Sequence, residues 1–274
     1  MSVGEDPSAL RDLAERVATE AATMVRHRRA EGFGIDTKST ETDMVTELDK
    51  AADRLIRERL LAARPDDGIV SEEDRAHTGT SGVTWVVDPI DGTTNFVYGL
   101  APAVVSIAAT DGDRRPIAAA VVEIFTGSLT GGSAGGGAHQ DGRRLTIPPP
   151  PPLRRALVAT GFGYDPPRRT RPATLLTSII GSIRDVRRNG AAAYDLCSVA
   201  ASRVDALYEH GLHEWDYAAG VLIAREAGAR VGDLEGGEPA PLRCLVAAHP
   251  DLYGPLVDLL VAAGAADLDG TTTS

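Results

Sequence analysis

Five consecutive prolines, Pro148 to Pro152, constrain the fold of this 274-residue chain more than any other feature. Proline fixes φ and has no N–H to give a sheet ladder, so the run is a stiff joint that no central strand can cross. The patterns on its two sides differ. Before it, apolar residues at Leu10, Leu13, Val17, Ala21 and Met24-Val25 predict a helix over 8–29. Leu48, Ala52, Leu55, Ile56 and Leu60 predict a second over 46–63, stopped by Pro65-Asp66-Asp67-Gly68. Strand-like segments follow at 84–87, 104–110, 117–124, 128–132 and 144–147, broken by Asp111-Gly112-Asp113 and Asp141-Gly142, which is the pattern of an antiparallel meander. After the prolines, strands at 156–160, 185–188, 206–209 and 245–248 alternate with helices at 172–181, 191–203, 216–227 and 252–263. The expectation is one domain over 1–274 of layered α+β and α/β type. Its subregions are 8–147 and 153–263, joined by a linker at 148–152 and ending in a flexible, small and polar tail at 264–274.

A chain of this length, 43% hydrophobic, can bury a large core. Its 28 basic and 39 acidic residues leave a net charge of −11, which repels nucleic acid, and its arginine pairs are scattered without interleaved aromatics. An acidic protein that handles an anionic substrate needs local charge inversion, and bound divalent cations supply it. Cys197 and Cys244 stand far apart in apolar settings, as expected of reduced core thiols in a cytoplasmic protein. Met1 to Pro7 has no signal-peptide pattern, and no apolar run approaches the ~20 residues of a membrane span.

The chemistry concentrates in Trp85-Val86-Val87-Asp88-Pro89-Ile90-Asp91-Gly92-Thr93-Thr94-Asn95. Asp88 and Asp91 stand where an apolar strand ends, and Pro89 holds the backbone in a turn. Both carboxylates and the Ile90 carbonyl can then converge on a hard cation such as Mg²⁺. Gly92-Thr93-Thr94 opens a helical turn whose free N–H groups suit an anion. An isolated D-x-x-D-G is an ordinary Asx turn, whereas the whole string at a strand end favours a site.

Three further segments offer oxygen ligands. Glu72 lies in Ser71-Glu72-Glu73-Asp74 after a short apolar run, where a solvated loop is the alternative. Thr46 and Asp49 stand at capping-box spacing, so Asp49 can be a cap partner or a functional acid. Asp216, in His213-Glu214-Trp215-Asp216, stands at a helix start, where the alternative is an N-cap aspartate. His213 is expected to hydrogen-bond structurally. The histidines are dispersed, so no convincing Ser-His-Asp set competes with this reading. The glycines of 131–137 lack the Lys-Ser/Thr of a P-loop and are expected to form a turn.

The string WVVDPIDGTTNFVYG, with HEWDYAAGVLIAREAG, resembles the two signature motifs of the inositol monophosphatase family. SEED, VTELD and RRNGAAAYDLC match further family blocks in the same order, so the resemblance spans about residues 8 to 263. It implies an αβαβα five-layer sandwich of the sugar phosphatase type and hydrolysis of a small phosphate monoester. It also implies a cofactor set of Mg²⁺, about two or three ions per site, with Mn²⁺ as a substitute and Li⁺ as an inhibitor. By position the metal ligands would be Glu72, Asp88, the Ile90 carbonyl, Asp91 and Asp216, with Asp88 bridging. Asp49 and Thr93 would orient and activate the attacking water, with Glu72 also among the catalytic groups. Gly92 and Thr93 would hold the phosphate; Gly190, Ala191, Ala192, Glu209 and Asp216 would face the alcohol, with Asp91 beside them. The resemblance further suggests a homodimer. The segment between Glu73 and Trp85, short and rich in Thr, Gly and Ser, departs from the family pattern and is expected to be a mobile cover.

Glu209 can accept hydrogen bonds from sugar-like hydroxyls, which favours myo-inositol 1-phosphate or a related polyol phosphate. Histidinol phosphate, fructose-1,6-bisphosphate and 3′-phosphoadenosine 5′-phosphate are alternatives. A reading of another class is a regulatory protein of the same fold that binds a partner from the transcription machinery. A nucleotide-binding oxidoreductase fails for want of G-x-G-x-x-G after a strand.

Overall fold

Leu10, Leu13, Val17, Ala21 and Val25 fall on one face of α1 (Pro7–Arg29), which Asp6 caps by accepting the Ser8 N–H at 2.9 Å. This computed structural model describes residues 6–37, 44–163 and 166–269. A small antiparallel pair follows, β1 (Ile35–Thr37) with β2 (Met44–Thr46), leading into α2 (Glu47–Ala63). The pair was not legible in the sequence. The start of α2 is: Thr46 is its N-cap and Asp49 closes the capping box.

The two helices cover one face of a seven-stranded sheet of spatial order β3-β4-β5-β6-β7-β8-β9. Its strands are β3 (Gly68–Ser71) and β4 (Thr84–Asp91), then, beyond the short helix α3 (Thr93–Tyr98), β5 (Val104–Thr110), β6 (Pro116–Glu123), β7 (Leu129–Ser133), β8 (Gly137–Gln140) and β9 (Arg143–Arg144). From β4 onward the ladders are antiparallel, as a meander requires, but β3 joins β4 in parallel. One expectation fails here and one holds in part. The strand expected at 144–147 pairs only at Arg143–Arg144; the turn expected at 131–137 is confined to 134–136, with Gly131 and Gly132 in β7 and Gly137 in β8.

Past the proline run come β10 (Leu157–Thr160), α4 (Pro166–Ile179), β11 (Asp185–Arg187), α5 (Ala192–Ala200), β12 (Ala206–Glu209), α6 (Glu214–Glu226), β13 (Arg230–Gly232), β14 (Leu245–Ala248), α7 (Pro250–Ala262) and α8 (Ala266–Asp269). The second sheet has order β11-β10-β12-β14-β13. Strand β10 is parallel to both its neighbours, and β14 is antiparallel to both of its own. Helix α4 starts earlier than expected and carries Pro172 inside it.

Period-two alternation in the strands explains the layering. Trp85 and Val87 face α1 and α2, where they pack with Val17, Ile56 and Leu60. Val86 faces the other way, onto Cys197, Ala218 and Leu222 of α5 and α6. Those helices present Leu196, Val199 and Val221 to Leu207 and Ala247 of the second sheet. Tyr208 and Val246, on its far face, pack with Leu175, Leu252 and Leu256 of α4 and α7. Helices, sheet, helices, sheet, helices: this is the five-layer αβαβα sandwich. The apolar area buried on both faces of both sheets is the main stabilising term.

The tail expected from Gly264 is instead packed as far as Asp269, with Ala265 fully buried and Leu268 against the outer core. Residues 270–274 of that tail, and Met1–Glu5 of the N-terminal segment, lie outside the described residues. Among the described residues no helix is long and apolar enough to cross a membrane.

Candidate active site

Asp88 and Asp91 are three residues apart, a spacing that puts side chains on opposite faces of a regular strand. Strand β4 removes that difficulty with a register shift: Asp88 pairs with Ser106 but Asp91 with Val104, so two residues on β4 oppose one on β5. Pro89 occupies the bulge, where its missing N–H breaks no ladder bond. Asp88, buried, accepts the Ile90 N–H at 3.0 Å through Oδ1. Gly92 then turns the chain into α3 with φ of +92°. A Cβ there would lie 3.0 Å from the Pro102 carbonyl oxygen and 3.2 Å from Ala191 Cβ, so glycine alone fits this approach between the two halves.

Thr93 Oγ1 lies 3.0 Å from the Ile90 carbonyl and 3.3 Å from Asp49 Oδ1. Asp49 is buried, and its other oxygen accepts the Thr46 N–H at 2.8 Å and the Thr46 hydroxyl at 2.5 Å. One oxygen of Asp49 thus closes the capping box of α2, and the other meets Thr93.

The carboxylates of the two halves gather around Asp91. Its Oδ2 accepts the Ala193 N–H at 2.7 Å. Burial pushes its carboxyl up to about 7; the Ala193 N–H opposes this, and Asp195 and Glu72 reinforce it. Asp195 is pushed up to about 7 by burial, with Asn189, Arg188 and Arg203 opposing. Burial drives Glu209 well above the carboxylate range, and Asp195, Asp91 and Asp216 drive it further. Acids that raise one another in this way are short of positive charge.

The donors are carboxylates and the Ile90 carbonyl, all oxygen, which suits a hard divalent cation. Glu72 directly follows β3, its N–H on the Val87 carbonyl at 3.3 Å. Asp216 is the third residue of α6, not its N-cap, and its Oδ2 accepts the N–H of the true N-cap, His213, at 2.7 Å. The His213 ring stacks on Trp215, centroids 4.8 Å apart. Among the described residues no three His, Cys, Asp or Glu side chains are gathered closely enough to hold a metal ion by themselves. A hard cation held here would need water and phosphate oxygens to complete its shell.

The structure adds residues to which the sequence reading assigned no role. Both Nδ2 hydrogens of Asn95 are used, on the carbonyls of Pro102 at 2.8 Å and Asn189 at 2.7 Å. Asn189 Nδ2 in turn donates to Asp195 Oδ1 at 2.5 Å. This chain fixes Gly190 and Ala191 against Gly92. An aspartate at 195 inside the apolar run of α5 was the signal available. The amides at the start of α5, Ala192 and Ala193, face Asp91. The segment between Glu73 and Trp85 is tied down. Thr80 and Ser81 donate their N–H groups to the Asp66 carbonyl at 2.7 and 3.0 Å, and Ser81 Oγ donates to Asp67 Oδ1 at 2.6 Å.

A model of the inositol monophosphatase family matches residues 6–265. The inositol-1-monophosphatase SuhB of Mycobacterium tuberculosis (strain ATCC 25618 / H37Rv) is 46% identical over 245 residues, 82% of this chain and 84% of that protein. The Nus factor SuhB of Salmonella typhimurium (strain 14028s / SGSC 2262) is 38% identical over 231 residues, 82% of this chain and 85% of that one. Among solved structures, Mycobacterium tuberculosis SuhB superposes with a TM-score of 0.81 at 42% identity, covering 96% of this chain and 99% of that one. The chain belongs to the inositol monophosphatase family. It is accordingly an enzyme, a phosphoric monoester hydrolase of the inositol-1-monophosphatase type.

Proposed function

We propose that the chain is a Mg²⁺-dependent phosphomonoesterase that releases inorganic phosphate from myo-inositol 1-phosphate or a closely related polyol phosphate. The observation that carries this reading is the Asp49–Thr93–Ile90 contact beside the mutually repelling carboxylates of Asp91, Asp195 and Glu209.

Glu72, Asp88, the Ile90 carbonyl, Asp91 and Asp216 would hold the cations. When bound, the cations supply positive charge for the phosphoryl oxygens and acidify water. Thr93 Oγ1, its proton directed at Asp49 Oδ1, accepts a hydrogen bond from the attacking water and aims its oxygen at phosphorus. Gly92 and Thr93 N–H groups hold the phosphate, and Glu209 accepts from substrate hydroxyls near Gly190–Ala192. In-line transfer then needs positioning and charge more than covalent chemistry.

The deciding experiment is phosphate release from myo-inositol 1-phosphate, histidinol phosphate, fructose-1,6-bisphosphate and 3′-phosphoadenosine 5′-phosphate, with Mg²⁺ and with added Li⁺. Strong Mg²⁺-dependent, Li⁺-inhibited turnover of the first is expected; indifference to it sinks the substrate assignment. Mn²⁺ is expected to substitute. A homodimer in the cytoplasm is part of the same reading, and light scattering checks the dimer. The relative named a Nus factor motivates a second, regulatory reading. Asp88→Asn separates the two: a biological effect that survives loss of phosphatase activity favours regulation.

A further inference from the structure

Glu209 is the last residue of β12, and its carboxylate lies over Gly161: a Cβ on that glycine would sit 1.8 Å from Glu209 Oε1. Its approach to the substrate space is thus set by how the end of β12 is held. The register pairs Glu209 with Leu245, so His210 and Cys244 come next across the ladder. Both meet the same oxygen. Asp269 Oδ1, at the end of α8, accepts the Cys244 N–H at 2.7 Å and faces His210 Nδ1 at 3.2 Å.

The contact is built into the fold rather than laid on its surface. The His210 and Asp269 side chains are 8% and 10% exposed. Ala265 and Leu268 seat the C-terminal turn on the outer core. Burial pushes the His210 imidazole below its ordinary value, with Asp269 opposing. A neutral ring must then carry its proton on Nδ1 to satisfy the carboxylate. Nε2 is buried and has no partner among the described residues, as an unprotonated nitrogen there can be.

We propose that Asp269 is a positioning residue for Glu209. By tying His210 to the Cys244 backbone, the C-terminal turn fixes the strand end from which Glu209 meets the alcohol part of the substrate. This rests on Glu209 accepting substrate hydroxyls. Loss of the tie lets Glu209 drift without touching the groups that hold phosphate, so only substrates that carry hydroxyls near the ester suffer.

The test is steady-state kinetics of the full-length chain with Mg²⁺, on myo-inositol 1-phosphate and on 4-nitrophenyl phosphate, which has no such hydroxyls. Asp269→Ala is expected to raise KM for the inositol ester about tenfold, with kcat within roughly twofold and 4-nitrophenyl phosphate unaffected. Asp269→Asn keeps an acceptor oxygen and is expected to show the same split at about threefold, and it decides the matter if the alanine variant does not fold. Hydrogen exchange at the Cys244 amide should quicken in parallel. Equal losses on both substrates, or an unchanged KM ratio in the folded variants, overturn the proposal. Glu209→Gln is the reference: if it leaves the KM ratio unchanged, the reading of Glu209 itself falls and takes the positioning role with it. If it shifts the ratio and the Asp269 variants do not, only the positioning role falls.

Discussion

Asp91 on the seven-stranded sheet caps a helix of the other half of the chain: its Oδ2 accepts the Ala193 N–H at 2.7 Å, across 102 residues of sequence. Ala191, the N-cap of that helix, has no side-chain oxygen to offer, so Asp91 supplies the carboxylate that an N-cap Asp would. The same side chain belongs to the proposed cation site, which couples catalytic geometry to the docking of the two halves. Asp91→Asn keeps an oxygen for the cap and removes a charge that burial penalises. The cation-free variant is therefore expected to melt higher than the wild type, by roughly 2–4 °C per kcal/mol gained. Phosphatase activity should fall at least about a hundredfold. Calorimetry in EDTA beside a phosphate-release assay checks both, and a variant that melts lower without cation contradicts the account.

The raised acids also give a pH dependence. Asp91 and Asp195 move from 3.8 to about 7 on folding, so between those values the native state holds protons that the unfolded chain has released. Stability from this source is present at the acid end and is lost as pH rises toward 7. The melting temperature in EDTA should accordingly slope downward over this window, and Mg²⁺ should raise it more at pH 7 than at pH 5. A cation effect independent of pH would show that Asp91 does not meet the ion.

What the sequence disclosed and what it withheld follow from the range of the interactions involved. Helices α1 and α2 were legible because their apolar spacing is local, and β4 because its apolar run ends at a proline turn. Strand β8 was missed because a glycine-rich segment carries no side-chain period to read. The parallel pairing of β3 was invisible because register with a neighbour is not local information. The site divides the same way. Asp88, Asp91, Thr93 and Asp49 stand in short patterns, whereas the Asn95–Asn189 contact spans 94 residues and only the fold creates it.

That contact makes Asn95→Asp a severe test. The amide gives both its hydrogens to carbonyl oxygens, and a carboxylate has none to give, so two acceptors would face a negative charge. A destabilisation of about 2–4 kcal/mol is expected from chemical denaturation, with KM for the ester raised as the Gly190–Ala191 segment loosens. Asn95→Ala, which removes the donor without adding charge, should cost less. If the aspartate is as stable as the wild type, the Asn95–Asn189–Asp195 chain does not hold the two halves together.

The two oxygens of Asp49 permit a separation of structure from chemistry. Thr46→Ala removes the hydroxyl that caps α2 through the Leu48 and Asp49 N–H groups but leaves Asp49 Oδ1 facing Thr93. It is expected to cost about 0.5–2 kcal/mol and little activity. Asp49→Asn reverses the balance. The amide can retain one acceptor for the cap, yet it can no longer offer a carboxylate oxygen to both Thr46 and Thr93, so turnover should fall about 10²–10⁴-fold with a smaller stability change. Thr93→Val should follow Asp49→Asn in rate, and the double variant should lose little more than either single, because the pair acts on one water. Additive rate losses would mean that Asp49 and Thr93 serve separate steps.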